Sequence, residues 1–287
     1  MKRFEYLRPR AIEEAFELKE RYGKEAEYIA GGTDILIKIK KRAISPSALI
    51  SLRNIDELGG IKENGELVIG SMTTLRELER HSGIKERYPC LWNAVYQLAN
   101  PQIRNMATIG GNIGNAAPSA DSAPPLMVLD AELEILGKGG KRVISISDFF
   151  KGPGVTALQE GEIIYSLVIR KDKARGVSSF FKLGRLSMDI AIVNAASWMR
   201  VEDNICKECR ISVGAVAPTP LRLREVEEML LGNKIDRDLL EAIGEKVEGL
   251  VSPITDVRAT EEYRRHMAGV LVKRVIEDAW KKAASGR

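Results

Sequence analysis

Apolar residues recur at helical spacing at Ile12, Ala15 and Phe16, between Pro9 and Gly23, and predict a helix over 10–22. Short apolar runs on either side, 4–6 and 26–30, read as strands, so the chain opens strand, helix, strand, with a right-handed crossover expected. Residues 35–40 alternate like a strand. Thr33 and Asp34 are nevertheless good helix caps, and the segment is predicted to be helical. A further strand is expected over 48–52. From residue 60 the pattern changes. A strand over 66–70 follows the turn Asn64-Gly65, Thr74 caps a helix running through 81, and Leu91, Ala94, Val95 and Leu98 mark a helix that stops before Pro101. After a glycine-rich stretch come the end of a short helix (126–129), two strands pairing across 137–140 (132–136 and 142–146), and a strand over 162–169.

The charged, Gly-containing run 170–176 reads as a boundary. Beyond it, 178–183, 190–201 and 205–216 suggest an antiparallel meander, followed by helices over 221–231, 237–247 and 260–284. The expected class is α+β, divided at 1–56, 57–172 and 173–287. A small βαβ lobe precedes a larger, mostly antiparallel lobe, and a C-terminal domain with a three-stranded sheet and helices closes the chain.

Composition narrows the chemistry more than the fold. The 287 residues are 44% hydrophobic and 29% charged, and 44 basic and 40 acidic residues are interleaved along the chain. No polyanion-binding stripe follows, so a nucleic-acid partner is not expected. No run approaches the roughly 20 apolar residues of a membrane span, and the basic N-terminus lacks the apolar core of a secretory signal. Three cysteines, Cys90, Cys206 and Cys209, suit a reducing cytoplasm. The two histidines, His81 and His266, leave little material for a metal site or a hydrolytic triad, so redox or transfer chemistry here would rest on a bound cofactor. The lone Cys206-Lys-Glu-Cys209 sits inside a predicted strand pair and reads as structural. Gly152-Pro-Gly-Val-Thr-Ala157 lacks the strand before and helix after that a dinucleotide fingerprint needs.

Two glycine segments remain. Ala30-Gly31-Gly32-Thr33-Asp34, between a strand and a helix, exposes main-chain N–H groups at which an anion can sit; a plain tight turn accounts for it equally well. Thr108-Ile109-Gly110-Gly111-Asn112 again clears space for ligand approach, and Asp121 offers an acceptor suited to sugar or ribityl hydroxyls. The alternative is a Gly-rich surface loop, against which stand Ile109, Ile113, Ala116 and Ala117.

Together the segments resemble one family. AGGTDIL at 30–36, QIRNMATIGGNIGNAAPSAD at 102–121, SDFF at 147–150, FFKLGRLSMDIA at 180–191, VGAVAPTPLR at 213–222 and SPITDVRATEEYRRHM at 252–267 are similar to the FAD-binding medium subunit of molybdenum hydroxylases, the group of carbon monoxide dehydrogenase and the xanthine dehydrogenase flavin domain. The resemblance covers nearly the whole chain. It implies FAD held non-covalently between the first two lobes by Ile29, Ala30, Gly31, Gly32, Thr33, Asp34 and Ile35. Thr108, Ile109, Gly110, Gly111, Asn112, Ala117 and Asp121 complete the set, with Leu98, Ile164 and Lys182 near the flavin. Leu98 stands where the xanthine dehydrogenase branch has an aromatic residue. The diphosphate would rest on backbone amides of 30–34 and 108–112. No side chain of this chain is implied as catalytic or as a metal ligand. Partner subunits would supply two [2Fe–2S] clusters and a molybdenum–pterin centre, in a dimer of heterotrimers, with NAD or another molecule accepting the electrons. A self-contained flavoenzyme of the same broad fold and a flavin-free assembly module are the alternatives.

Overall fold

A computed structural model describes residues 3–186 and 188–284; Ser187, inside the 180–191 motif, and residues 1–2 and 285–287 lie outside the described residues. The N-terminal strands β1 (Glu5–Leu7), β2 (Ala26–Ile29) and β3 (Ala48–Ser51) form a parallel sheet in the order β1-β3-β2. The expected helix occupies Ile12–Tyr22, but β3 lies between the two strands it joins. All four residues of β3 are buried, as befits a central parallel strand. The helix Ile35–Lys40 forms as its caps predict.

The second sheet contains β4 (Ile61–Glu63), β5 (Glu66–Gly70), β6 (Glu132–Gly137), β7 (Gly140–Ser145) and β10 (Ile163–Arg170), antiparallel in the order β4-β5-β10-β6-β7. A small hairpin of β8 (Phe150–Gly152) and β9 (Val155–Thr156) lies between β7 and β10 in the chain. Leu67, Ile69, Ile135 and Leu167 share one core with Leu91, Val95 and Leu126 from the adjoining helices. Thr74 begins a capping box: its hydroxyl accepts from Glu77 N (3.2 Å) while the Glu77 carboxylate accepts from Thr74 N (2.7 Å). That helix, Leu75–Arg80, ends at His81, whose Nδ1 accepts from Ile84 N and starts the next helix, Ser82–Arg87.

The third sheet departs from expectation. β11 (Val177–Leu183), β12 (Val193–Glu202) and β13 (Ile205–Gly214) form the meander, with both turn residues Asp203 and Asn204 at positive φ, as a tight hairpin turn requires. A fourth strand, β14 (Leu221–Arg222), pairs with Val213 and Ser212, so the sheet is four-stranded and the helix expected from 221 begins at Arg224. Two side-chain bonds hold Arg222 out of that helix. Its guanidinium pairs with Glu227 and with Asp130 (2.8 Å) of the preceding lobe. Helix Glu261–Ala284 covers this sheet, and helix Arg237–Leu250 packs on that helix from outside. The pairing shifts register opposite Lys207, and the extra residue brings Cys206 and Cys209, three positions apart, into one apolar core.

The central and C-terminal parts meet over Trp198. Arg210 and Lys173 lie 4.6 and 5.5 Å from its ring centroid, both pair with Asp130, and the indole N–H donates to Lys173 O (2.7 Å). Gly176 runs against that ring so closely that a Cβ there would overlap it. Gly176→Ala is therefore expected to cost about 1–3 kcal/mol by overpacking, read as a lower urea midpoint with an altered Trp fluorescence signal.

A candidate dinucleotide cleft between two glycine segments

β2 ends at Ile29, and the chain turns through Ala30–Asp34 with Gly32 at φ 81°, a left-handed conformation that favours glycine. Opposite, Thr108 caps the helix Ile109–Gly114, its hydroxyl accepting from Gly111 N (3.1 Å). Between them lies a cleft of about 470 Å³, in the size range of small-molecule sites. Of the residues expected at the cofactor, Ala30, Gly31, Gly32, Thr33, Asp34, Ile35, Thr108, Gly110, Gly111, Asn112 and Ile164 line it. A second cleft of about 390 Å³, walled by Arg53, Asp56, Thr74, Asn105 and Met106, adjoins it through Gly31, Met72 and Thr108.

The glycines serve different ends. A Cβ on Gly31 would collide with the carbonyl of Met106 and the backbone of Ala107, and one on Gly110 would collide with Ser71. Those two positions let backbone lie on backbone. Gly111 instead looks across the cleft, where a Cβ would stand 3.5 Å from the Ala30 side chain and 2.9 Å from Thr108 Oγ1.

The amides divide in the same way. In the second segment every N–H from Ile109 to Asn112 already has a protein acceptor: Thr73 O, Ser71 O, Thr108 Oγ1 and Thr108 O, respectively. In the first segment the N–H groups of Gly31, Gly32, Thr33 and Asp34 meet no protein acceptor among the described residues. The expectation that both segments present amides to a ligand is thus replaced by a simpler arrangement. The first segment offers donors, and the second offers clearance and the Asn112 side chain. Asp34 adds a carboxyl pushed up by burial, with Lys38 and Thr33 working the other way.

The remaining expected residues stand elsewhere. Ile29 and Ile109 are buried in the cores behind the two segments, and Ala117 is half-buried beyond the second. Leu98, Asp121 and Lys182 are not in the cleft wall. The Lys182 ammonium donates to Asp121 Oδ2 (2.6 Å) and to Gln97 O (3.2 Å), next to Leu98, while Asn194 Nδ2 donates to Asp121 Oδ1 (2.8 Å). Ser122 ties this cluster to the cleft by donating to Asn112 Oδ1 (2.6 Å). Burial pushes the Asp121 carboxyl up, opposed by Lys182 and Asn194. Asp121 therefore already has its acceptor sites engaged by the protein.

Lys19, Tyr28, Lys38, Ser71, Met72 and the stretch 158–163 also line the cleft, and none belongs to a readable motif. The Tyr28 hydroxyl donates to Gly161 O (3.2 Å), and burial pushes its phenol up. Of Arg104, in the conspicuous QIRN stretch, the side chain is buried and structural. It donates to Leu98 O and Ala99 O (both 2.9 Å) and pairs with Glu79 (2.8 Å). Burial opposes the charge of Glu79, yet Arg104 and Arg76 hold its carboxyl below the ordinary range.

Lys182→Met would strand a buried carboxylate and is expected to cost about 3–5 kcal/mol at neutral pH. Because the folded-state pKa of Asp121 is already raised, and rises further without Lys182, protonation relieves the strain. Denaturant melts should show the penalty shrinking as pH falls toward the range in which Asp121 takes up its proton.

Comparison with known proteins adds to this geometry. Residues 2–170 match the family described as the FAD binding domain in molybdopterin dehydrogenase, and 178–279 match the CO dehydrogenase flavoprotein C-terminal domain. The xanthine dehydrogenase FAD-binding subunit of Escherichia coli O157:H7 is 38% identical, the match covering 89% of each chain. The carbon monoxide dehydrogenase medium chain of Afipia carboxidovorans is 33% identical over 96% of each. Among solved structures, a chain of the Cu,Mo-CO dehydrogenase in its cyanide-inactivated form superposes with a TM-score of 0.94 at 33% identity, covering 98% of both. A chain of quinoline 2-oxidoreductase from Pseudomonas putida 86 gives 0.93 at 28% identity, covering 99% of both.

Proposed function

Because the chain belongs to the FAD-binding subunits of the molybdopterin dehydrogenases, we propose that the cleft holds FAD and that this subunit relays electrons within a multi-subunit oxidoreductase. The observation that carries the reading is the set of amides at Gly31–Asp34 that meet no acceptor among the described residues, facing the clearance at Gly111. A diphosphate loses water on entering such a slot, and main-chain N–H groups replace it at short range. Asn112 and Thr33 add polar side chains, and Ile44, Leu52 and Ile164 supply apolar wall that excludes solvent. When bound, FAD provides a carrier for one or two electrons.

The chain's residues point to non-covalent attachment. No Cys or His lines the cleft among the described residues. Tyr28, the one phenol there, is kept protonated by burial and occupied with Gly161 O, which makes it a poor nucleophile. Organic oxidation falls to other chains in this reading. Among the described residues no cluster of His, Cys, Asp and Glu is placed to hold a metal. Relatives named as a medium chain and a FAD-subunit support a multi-chain assembly; in this proposal partners hold [2Fe–2S] clusters and a molybdenum–pterin centre, with NAD or another molecule as the final acceptor. A dimer of heterotrimers in the cytoplasm is the proposed setting. Among the described residues no helix is long and apolar enough to cross a membrane.

Acid precipitation of the protein as isolated should release all its flavin into the supernatant, at about one FAD per chain; colour held in the pellet would refute non-covalent binding. Gly111→Asp places a carboxylate in the slot, a penalty of several kcal/mol against a diphosphate. It should keep the far-ultraviolet circular dichroism and lose the flavin absorbance. The metal-free chain alone should oxidise no aldehyde, purine or carbon monoxide at roughly 1 per second or faster; turnover at that rate would replace the relay with a self-contained flavoenzyme.

A further inference from the structure

We infer that the Ser71 hydroxyl is a donor to the diphosphate of the bound dinucleotide, set into the cleft wall behind the second glycine segment; the inference rests on the FAD reading above. Ser71 follows β5 and carries the chain toward the capped helix Leu75–Arg80. Its main chain is fully committed: the N–H donates to Tyr165 O (3.0 Å) and the carbonyl accepts from Gly110 N (2.9 Å). Its side chain is not. The residue is 4% exposed and lines the cleft, yet Oγ is buried with no hydrogen-bond partner. Folded chains seldom leave a buried hydroxyl unsatisfied.

The hydroxyls nearest in sequence and space behave differently. Thr73 donates to Gly60 O (2.9 Å), Thr74 donates to the Glu77 carboxylate (2.6 Å), and Thr108 accepts from Gly111 N (3.1 Å). Among the described residues the other buried side-chain atoms without partners, on Asn194, Arg210 and Arg264, belong to the C-terminal domain and not to this cleft. Ser71 is thus a single uncommitted donor beside Gly110 and Gly111, in a cleft whose opposite wall presents the uncommitted amides of Gly31–Asp34. Donors converging from both walls call for an acceptor with several charged oxygens, and the diphosphate is the part of FAD that has them.

The test uses the protein as isolated from its own cells, with any accompanying chains, stripped of flavin and titrated with FAD. Ser71→Ala should raise the FAD dissociation constant about tenfold, equivalent to ~1.4 kcal/mol. It should raise the inhibition constant for ADP, which carries the diphosphate without the flavin, by a similar factor. Ser71→Cys, a weaker donor of similar size, should fall between. The flavin-free unfolding midpoint should not drop, because the hydroxyl supports nothing in the fold; a lower midpoint with unchanged FAD affinity would make Ser71 structural and overturn the inference. Equal FAD affinity in wild type and Ser71→Ala would overturn it too, as would a weakened FAD with an unchanged ADP constant. Failure of the wild type itself to take up FAD would instead refute the cofactor reading, and this inference with it.

Discussion

At Gly31 the backbone of the N-terminal lobe lies directly on the carbonyl of Met106, with no room for even a methyl group between them. Approaches as tight recur inside the part of the chain that carries the second sheet, where Gly110 rests on Ser71 and Gly70 rests on Leu58 and Gly59. Main-chain bonds then fix the second segment against the second sheet and the capped helix: Leu75 N to Ala107 O (2.9 Å), Gly110 N to Ser71 O (2.9 Å) and Gly70 N to Gly60 O (2.9 Å). Close packing of this kind transmits position rigidly, since a core that tight has no slack to absorb a shift. The cleft exists because the two glycine segments are fixed at this separation, and its open face is what remains where Gly111 and Ala30 look at each other without touching.

A second joint sets the far end. Asp121, Lys182 and Asn194 come from different parts of the chain and close a buried, charged cluster between the central lobe and the third sheet. Such clusters are weak sources of net stability, because burial opposes the charges before the pairing rewards them. What this one does is geometric. With its chain neighbour Ser122 bonded to Asn112, it links the wall of the cleft to β11 and β12 through short hydrogen bonds on both sides of the Asp121-Ser122 backbone. The Asp130–Arg210–Arg222 network does the same service nearer Trp198.

Much of this was legible in the sequence where local signals agreed with the final contacts. Thr74 announces a helix that forms with its capping bonds, and Asn64-Gly65 announces a turn that forms with Gly65 at positive φ. Legibility failed where tertiary bonds overrule propensity. Residues 109–114, half of them glycine, make a helix because Ser71, Thr73 and Thr108 satisfy its first amides. Leu221 and Arg222 join a sheet because an aspartate in another lobe holds the guanidinium. In the cleft, the motif residues that line it were readable. Tyr28 and Gly161, 133 positions apart, were not, because nothing local marks two residues that meet only once the lobes have closed.

The division of labour between the glycines changes how relatives of this chain ought to be read. Gly31 serves the joint with Met106 and Gly110 the packing on Ser71, and a descendant that had abandoned its cofactor would still need both in order to fold. Their survival in a sequence is a record of architecture, silent on chemistry. Gly111 is constrained too, since a Cβ there would come within 2.9 Å of the capping Thr108 hydroxyl, whereas the amides of Gly32 and Thr33 meet no protein acceptor among the described residues. In a gene that has drifted away from redox work, decay should therefore surface first as polar loss at Ser71, while the most conspicuous glycines of the signature stay in place and continue to advertise a function already gone.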